Sequence, residues 1–209
     1  LVDQYGADAL RFTLTSMAAP GRDIKLATSR VEGYRNFMTK LWNASRFCEM
    51  NECRPQDRFD PAAVTETVNR WVVGEVVNAR KAVDGALEAY RFNDAAGSVY
   101  QFVWGTFCDW YLELAKPLLN SDNEAAKAET RACAAWVLEQ ILRLMHPFTP
   151  FVTEELWEKM GYAGNGPLIR TPWPALGDDL IDGDAAREMD WTVRLITAIR
   201  SVRSEMNIP

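Results

Sequence analysis

Apolar residues recur at helical spacing along almost the whole chain, and few runs alternate in the way that predicts a strand. Roughly five or six of the helical segments are long, about 20 to 30 residues each, with short links between them. Long amphipathic helices with short links bury their apolar faces against neighbours that run in alternating directions. The sequence therefore predicts an all-α fold, an up-and-down helical bundle.

The ends of the helices are predicted from capping residues, prolines and glycines. Thr28 is predicted to cap the second helix, and Asp60-Pro61 is predicted to start the third, with a break near Asn69 left open. Pro20-Gly21, the polar stretch 51–60 and the glycine-rich and proline-rich stretch 161–184 predict turns or irregular segments. The predicted helices lie at about 3–17, 29–50, 61–90, 93–117, 122–145, 149–160 and 185–206.

The composition limits what can stabilise the chain. Eight Trp, nine Phe and six Tyr among 209 residues supply enough large rings for a hydrophobic core. The four cysteines form no Cys-x-x-Cys pair, and the one histidine, His146, is far from the first two, so no metal site is expected.

Neither a signal peptide nor a run of roughly 18 to 20 apolar residues is found. We therefore expect a cytoplasmic protein without a membrane partner.

The charge is distributed unevenly. The net charge of −6 argues at first against a nucleic-acid partner, since phosphates attract clustered Lys and Arg. However, the segment from Arg22 to Arg46 carries six basic and two acidic residues, a local charge of +4. The remainder carries 17 basic and 27 acidic residues, a charge of −10. A basic segment on an acidic body can still bind a polyanion locally.

The predicted helix in this basic segment has two distinct faces when its residues are placed at 100° intervals. The face predicted to lie against the core holds Val31, Tyr34, Phe37, Met38, Leu41, Trp42, Ala44 and Cys48. The face predicted to point outward holds Arg35, Asn36, Thr39, Lys40, Asn43, Arg46 and Phe47. Cations bind phosphates, amides read base edges and an exposed ring can stack on an unpaired base, so the outward face suits a single-stranded RNA loop. The alternative is an ordinary solvated helix face that happens to be basic.

A series of motifs covers nearly the whole chain. In order, they are Tyr-Gly-Ala-Asp-Ala-Leu-Arg (5–11), Gly-Arg-Asp-Ile (21–24), Arg-Asn-Phe (35–37), Lys-Leu-Trp-Asn-Ala-Ser-Arg-Phe (40–47), Tyr-Arg-Phe-Asn-Asp-Ala (90–95), Phe-Cys-Asp-Trp-Tyr-Leu-Glu-Leu-Ala-Lys-Pro (107–117) and His-Pro-Phe-Thr-Pro-Phe-Val-Thr-Glu-Glu-Leu-Trp (146–157). Together they resemble the C-terminal anticodon-binding region of the valyl-tRNA synthetases, which are class I aminoacyl-tRNA synthetases. Isoleucyl and leucyl enzymes share this bundle, but the second and fourth motifs resemble the valyl branch.

The resemblance implies a ligase that uses ATP with Mg²⁺ to activate valine and transfers it to tRNA(Val). The chain contains neither a His-Ile-Gly-His-like nor a Lys-Met-Ser-Lys-Ser-like motif, so we expect a non-catalytic fragment without a cofactor or a metal site of its own. Residues 1–27 correspond to a connector that follows the catalytic core, and residues 28–209 to an anticodon-binding bundle of the class Ia type. The catalytic and editing domains of the same polypeptide are expected partners, in a monomeric enzyme.

The implied function is to hold the anticodon arm of tRNA(Val). The residues expected to contact it are Arg35, Lys40 and Arg46 at phosphates, Asn36 and Asn43 at base edges, and Phe47 under a base. A different class of function remains open, a structural scaffold that docks the catalytic core or a protein partner and contacts no RNA. An independent enzyme is opposed by the lack of a nucleophile–base pair, a metal set or a glycine-rich phosphate loop.

Three other features favour structural roles. The stripe Trp104, Phe107, Trp110, Tyr111 and Leu114 has the spacing of a buried helix face and is predicted to be core. His146, which precedes a proline, is predicted to be a helix-end residue rather than a catalytic base. Three arginines of the last helix are predicted to be solvated, although contact with tRNA is the alternative: Arg194, Arg200 and Arg203.

Overall fold

The computed structural model describes residues 1–19, 21 and 23–208, without the side chain of Asn165. Within these ranges no strand is present, and the predicted all-α fold is confirmed. The helices are α1 (Val2–Tyr5), α2 (Ala7–Met17), α3 (Thr28–Met50), α4 (Thr67–Glu88), α5 (Phe92–Tyr100), a π-helical segment (Gln101–Tyr111), α6 (Leu112–Leu119), α7 (Glu124–Met145), α8 (Pro150–Lys159) and α9 (Gly183–Glu205). Short 3₁₀ turns lie between the helices, three of them in the predicted irregular stretch 161–184.

Two predicted helix starts are wrong. Thr28 is already the first residue of α3, and the residue that caps this helix, Ala27, has no side chain that could accept a hydrogen bond. The Asp60 carboxylate does accept a 2.9 Å hydrogen bond from the backbone N–H of Ala62, but it caps only a 3₁₀ turn over Pro61–Ala63. The following residues are extended, so α4 begins later than predicted, at Thr67. Of the predicted turn at Pro20-Gly21, Pro20 lies outside the described residues.

The long helices α3, α4 and α7 each pack against at least two other helices, as in a helical bundle. α4 packs against α5, α7 and α9, and α6 packs against α7. α3 packs against α2 and against the π-helical segment, which joins α5 and α6 without a break. The wider turns of a π-helix change which side chains share a face, and the spacing of apolar residues does not predict them.

The core confirms the helix faces predicted from periodicity. On α3, Tyr34 and Trp42 are half-buried, and six other residues of the predicted core face are buried: Val31, Phe37, Met38, Leu41, Ala44 and Cys48. In the aromatic stripe, Phe107 and Tyr111 are buried, whereas its remaining members are half-buried and pack against the core: Trp104, Trp110 and Leu114. The inner face of α3 is therefore fixed, and its outer face is held in a defined orientation.

The N-terminal helix α2 shares this core. The Phe12 ring is fully buried, and its centroid lies 5.4 Å from that of Phe37 on α3. The Asp8 carboxylate accepts hydrogen bonds from the backbone N–H groups of Phe151 (3.3 Å) and Val152 (2.6 Å), in the first turn of α8. Arg11 donates to the Pro147 carbonyl at 3.1 Å. α2 is thus attached to both ends of the turn between α7 and α8.

The long helices are amphipathic rather than apolar on all sides. Within the described part of the chain, none is both long enough and apolar enough to cross a bilayer.

Candidate nucleic-acid interface

The face of α3 predicted to point outward lies at the protein surface. Of the six residues predicted to contact RNA, four are exposed and two are half-buried: the first group is Arg35, Asn36, Asn43 and Arg46, and the second is Lys40 and Phe47. Because the opposite face is buried, α3 cannot turn about its own axis. Its exposed side chains therefore keep pointing away from the core. The structure therefore brings all six predicted residues together along one helix.

Asn43 and Arg46 are the most available polar groups of this face. Both side chains are exposed, and neither forms a hydrogen bond or an ion pair with any residue that the structure describes. They are three residues apart and so lie next to each other on the helix surface. A cation and an amide are thus presented side by side to solvent.

Arg35 and Asn36 interact weakly with their neighbours. The Arg35 guanidinium donates a 3.2 Å hydrogen bond to the Asn36 Oδ1 atom and lies 3.7 Å from the Glu32 carboxylate. About half of the Arg35 side chain is exposed, at 46%. Ion pairs in such positions contribute only about 0 to 1 kcal/mol, so the guanidinium can exchange this carboxylate for a phosphate at little cost.

Lys40 is held more tightly than the other cations of the face. Its ammonium group forms an ion pair with the Asp109 carboxylate and lies 4.0 Å from the centroid of the Trp104 ring. Only 26% of its side chain is exposed. Both partners belong to the π-helical segment, against which the edge of α3 packs.

Phe47 is half-buried and packs against the core cluster. The Lys116 ammonium lies 5.8 Å from the centroid of its ring, and the Glu113 carboxylate accepts hydrogen bonds from the same ammonium at 2.6 and 2.7 Å. The ring therefore borders a cation on α6, and it directly follows Arg46 on α3. Because the ring is not fully buried, part of it remains available at the surface.

The sequence reasoning missed the residues that border this face from the neighbouring segment. Asp109 and Trp104 lie more than 60 residues from Lys40 in the sequence, so no local pattern connects them. The pair of Glu113 and Lys116, spaced by three residues on one helix, could have been recognised as an ion pair. The burial of the Cys108 thiol, beside Asp109 in sequence, raises its pKa to about 12, although Lys40 lowers it.

His146 lies at a helix end as predicted, and the three arginines of the last helix, Arg194, Arg200 and Arg203, are exposed as predicted. His146 follows the last residue of α7, its Nδ1 atom lies 2.8 Å from the Thr153 hydroxyl, and burial lowers its pKa although Glu154 and Asp8 raise it. On α9, Arg194 is paired with Asp190 at 2.7 Å, and the Arg200 guanidinium lies 5.2 Å from the Trp110 ring centroid. Over the described ranges, no group of three or more His, Cys, Asp or Glu residues could hold a metal ion.

Comparison with known proteins shows which family the chain resembles. Residues 69–209, which contain most of α4 and everything after it, match the family described as the anticodon-binding domain of tRNA ligase. The helix that carries the candidate interface precedes this range. A fold similar to that of the chain occurs in the ternary complex of LeuRS, tRNA and LeuAMS from Agrobacterium radiobacter K84, with a TM-score of 0.67 and 20% identity over 87% of this chain and 21% of that one.

Curated relatives match the chain over its full length. It is 57% identical to the valine–tRNA ligase of Caulobacter vibrioides and 54% identical to that of Rhizobium meliloti, in each case over 212 aligned residues and 100% of this chain. The same stretch is 23% and 22% of those two proteins, so the chain spans about a quarter of their length. These matches confirm the resemblance to valyl-tRNA synthetases found in the motifs. The chain belongs to the family of tRNA ligase anticodon-binding domains.

Proposed function

We propose that the chain is the tRNA-binding part of a valyl-tRNA synthetase and that the outward face of α3 binds the anticodon arm of tRNA(Val). The observation that carries this proposal is that Asn43 and Arg46 are exposed, form no hydrogen bond or ion pair with the described residues, and lie beside the half-buried Phe47 ring. This combination offers a phosphate contact, a base-edge contact and a stacking surface within one helical turn. A single-stranded loop presents the three complementary groups.

Each of the six residues has a proposed role at this site. The phosphate contacts are Arg35, Lys40 and Arg46, the base-edge contacts are Asn36 and Asn43, and the stacking surface is Phe47. Phosphate contacts set affinity and register, whereas base edges and stacking carry the sequence preference. The acidic remainder of the chain limits binding of other polyanions elsewhere on the surface.

In the complete enzyme, we expect this part to contribute by positioning the tRNA. We propose that residues 1–27 connect the bundle to a catalytic core that uses ATP with Mg²⁺, in a monomeric, cytoplasmic enzyme that also carries an editing domain. The packing of Phe12 against Phe37 supports a rigid connection, because α2 and α3 share one core. Binding energy from the anticodon arm then holds the acceptor end in register, so it assists charging of tRNA rather than activation of valine.

The proposal is tested by measuring binding of tRNA(Val) and of the same tRNA with a changed anticodon over a range of salt concentrations. We expect salt-dependent binding, because cations of the face displace counterions from phosphates, and tighter binding of tRNA(Val), because only its anticodon offers the matching bases to the base-edge and stacking contacts. Equal and weak binding of both RNAs would instead support a scaffold that docks the catalytic core or a protein partner.

A second experiment uses the complete ligase. Arg46→Ala should lower kcat/KM for charging of tRNA and leave the rate of valine activation unchanged, because activation needs no tRNA contact at this site. Arg187→Ala on α9 removes an exposed arginine of the same charge elsewhere and serves as the control. An equal loss in both reactions would show that the substitution acts through the fold and not through the RNA.

A further inference from the structure

The last turn of α3 ends in a pair of cysteines that the backbone holds together. The N–H group of Cys53 donates a 2.8 Å hydrogen bond to the carbonyl of Cys48, and the N–H group of Glu52 donates a 3.1 Å hydrogen bond to the carbonyl of Glu49. Glu52 adopts a left-handed backbone conformation, with a φ of 59°. Together these features form a Schellman motif, in which the side chains at the positions of Cys48 and Cys53 commonly pack against each other.

The motif brings the two cysteines within the distance that a disulfide requires. Standard bond lengths and the 2.8 Å hydrogen bond limit the separation of their Cα atoms to at most about 6.7 Å. Disulfides join cysteines whose Cα atoms are roughly 4.4 to 6.8 Å apart. Both side chains are fully buried and belong to the same core cluster. The two thiols can therefore form a bond without a rearrangement of the backbone.

The two thiols differ in how readily they ionise. The hydrogen bond from the Cys48 thiol lowers the pKa of Cys53, and the charge of Arg131 lowers it further, although burial raises it. The same hydrogen bond, together with burial, raises the pKa of Cys48. Arg131 is held near this motif by its 2.8 Å ion pair with Glu52, and its Nε–H group is buried without an acceptor among the residues that the structure describes. A negative charge is therefore favoured on the Cys53 sulfur rather than on the Cys48 sulfur.

The other two cysteines have the opposite character. Cys108 is half-buried and so is the most accessible of the four, but burial raises its pKa to about 12. Burial also raises the pKa of Cys133 to about 12. Thiolates rather than thiols attack oxidants. Accessibility would thus favour reaction at Cys108, whereas thiolate character favours reaction at Cys53.

We propose that Cys48 and Cys53 form an oxidisable dithiol, a modification site that a hydroperoxide converts to an intramolecular disulfide. The Cys53 thiolate attacks one peroxide oxygen and the O–O bond breaks, which leaves a sulfenic acid on Cys53 and, after uptake of a proton, an alcohol or water. The Cys48 sulfur then attacks the Cys53 sulfur. The S–S bond forms, the S–O bond breaks, and the hydroxyl group leaves as water with the proton of Cys48. The two thiols lose two electrons, and the peroxide gains them.

The oxidant reaches the pair when the end of α3 opens. Glu52 and Arg54, the neighbours of Cys53 in the sequence, are exposed, and so is the rest of the stretch 54–58. Opening of the last turn breaks the two hydrogen bonds of the motif and leaves the remainder of the bundle packed. Such local openings require much less free energy than global unfolding. Oxidation should therefore proceed in the folded protein, although more slowly than for an exposed thiolate.

The disulfide should leave the outward face of α3 in place. Cys48 directly follows Phe47, and the new bond joins two side chains that are already in contact. Disulfide formation also stops oxidation at a stage that thiols reverse, before the irreversible sulfinic and sulfonic acids. This inference goes beyond the proposed function and does not depend on RNA binding.

The test treats the intact, reduced protein with tert-butyl hydroperoxide, blocks the remaining thiols with iodoacetamide and digests the product with trypsin. Trypsin cleaves after Arg46 and Arg58 but not between Arg54 and Pro55, so residues 47–58 are released as one peptide. This peptide contains Cys48 and Cys53 and neither of the other cysteines. Mass spectrometry should find it unalkylated and lighter by two hydrogen atoms. Treatment with dithiothreitol before blocking should restore alkylation of both cysteines.

Three variants check the order of the steps. Cys48→Ser should stop the reaction at a sulfenic acid on Cys53, which dimedone traps. Cys53→Ser should slow oxidation of Cys48 by roughly tenfold or more, because the thiolate is lost. Cys133→Ser removes another fully buried thiol of the core and is the matched control, in which the rate of disulfide formation should be unchanged. Circular dichroism shows whether each variant is folded.

The wild-type protein alone can overturn the inference. Oxidation of Cys108 while residues 47–58 stay alkylated on both cysteines would do so, and so would a disulfide that joins Cys53 to Cys133. A folded Cys53→Ser variant in which Cys48 is oxidised as fast as in the wild type would also contradict the proposed role of Cys53.

Discussion

The carboxylate of Glu129 on α7 accepts a 2.9 Å hydrogen bond from the side-chain amide of Asn69 on α4. The same carboxylate accepts hydrogen bonds from the backbone N–H groups of Thr65 and Glu66, both at 2.9 Å. α4 has no N-cap side chain of its own that accepts a hydrogen bond. The N–H groups at a helix start favour a negative charge, so Glu129 caps α4 from a different helix.

Replacing Glu129 by Ala should lower the free energy of unfolding by about 1 to 3 kcal/mol, because several donors at the start of α4 lose their acceptor together. Urea denaturation followed by circular dichroism measures the change. Glu124→Ala, in the first turn of the same helix but 78% exposed, is the matched control and should have a smaller effect. Similar losses for the two variants would contradict the capping role.

The same site gives stability a dependence on pH. Burial raises the pKa of Glu129, but hydrogen bonds from Asn69, Thr65 and the backbone of Glu66 outweigh it, and the net pKa is lowered. A carboxyl whose pKa is lower in the folded state stabilises the fold above its unfolded pKa, about 4.3, and loses this contribution as the pH falls through the folded value. The difference in unfolding free energy between the wild type and Glu129→Gln should therefore be largest near neutral pH and shrink below about pH 4.3. A difference that is constant between pH 7 and pH 3 would argue against an ionised cap.

Asp8 provides a second cap from another helix. Only 6% of this residue is exposed, and α8 has no hydrogen bond from its own N-cap side chain, Thr149. Asp8→Ala should destabilise the protein by about 1 to 2 kcal/mol, as the loss of a capping side chain usually does. Hydrogen exchange should accelerate at the amides of Phe151 and Val152. Asp3→Ala, an exposed change on α1, should leave these amides protected, and equal acceleration in both variants would rule out a local cap.

The outward face of α3 is tested by removing two of its cations. Arg46→Ala combined with Lys40→Ala should weaken binding of tRNA(Val) and flatten its salt dependence, by about 0.7 to 0.9 in slope for each phosphate that is no longer neutralised. Circular dichroism should show an unchanged helical content. The matched double variant, Lys81→Ala with Arg187→Ala, removes two exposed cations from α4 and α9. An unchanged slope in the first variant would count against the assignment of this face.

Local periodicity predicted the helices and the orientation of α3, because each turn of an amphipathic helix repeats the same apolar signal. Phe37 and Leu41 are fully buried for this reason, and Arg46 is exposed. Capping residues were less informative. Asp60 does cap a turn, but the chain leaves helical geometry after Ala63, and propensity alone did not reveal that the turn would stop there.

Contacts between distant segments could not be predicted from one sequence. The caps supplied by Glu129 and Asp8 reach across 63 and 143 residues to Glu66 and Phe151, and they replace hydrogen bonds that the side chains of the N-cap residues Glu66 and Thr149 do not form. The partner of Lys40 is likewise 69 residues away. The residues of the candidate site were thus predicted, whereas the ion pair between Lys40 and Asp109 was not.

Site-specific crosslinking tests the central claim most directly. With p-benzoylphenylalanine in place of Asn43, irradiation of the protein bound to tRNA(Val) should crosslink the protein to nucleotides of the anticodon loop. The same photoreactive residue in place of Lys81 on α4 should give no crosslink to that loop. Crosslinks from position 43 to other parts of the tRNA, or none at all while tRNA(Val) remains bound, would contradict the assignment of the α3 face as the anticodon-binding surface.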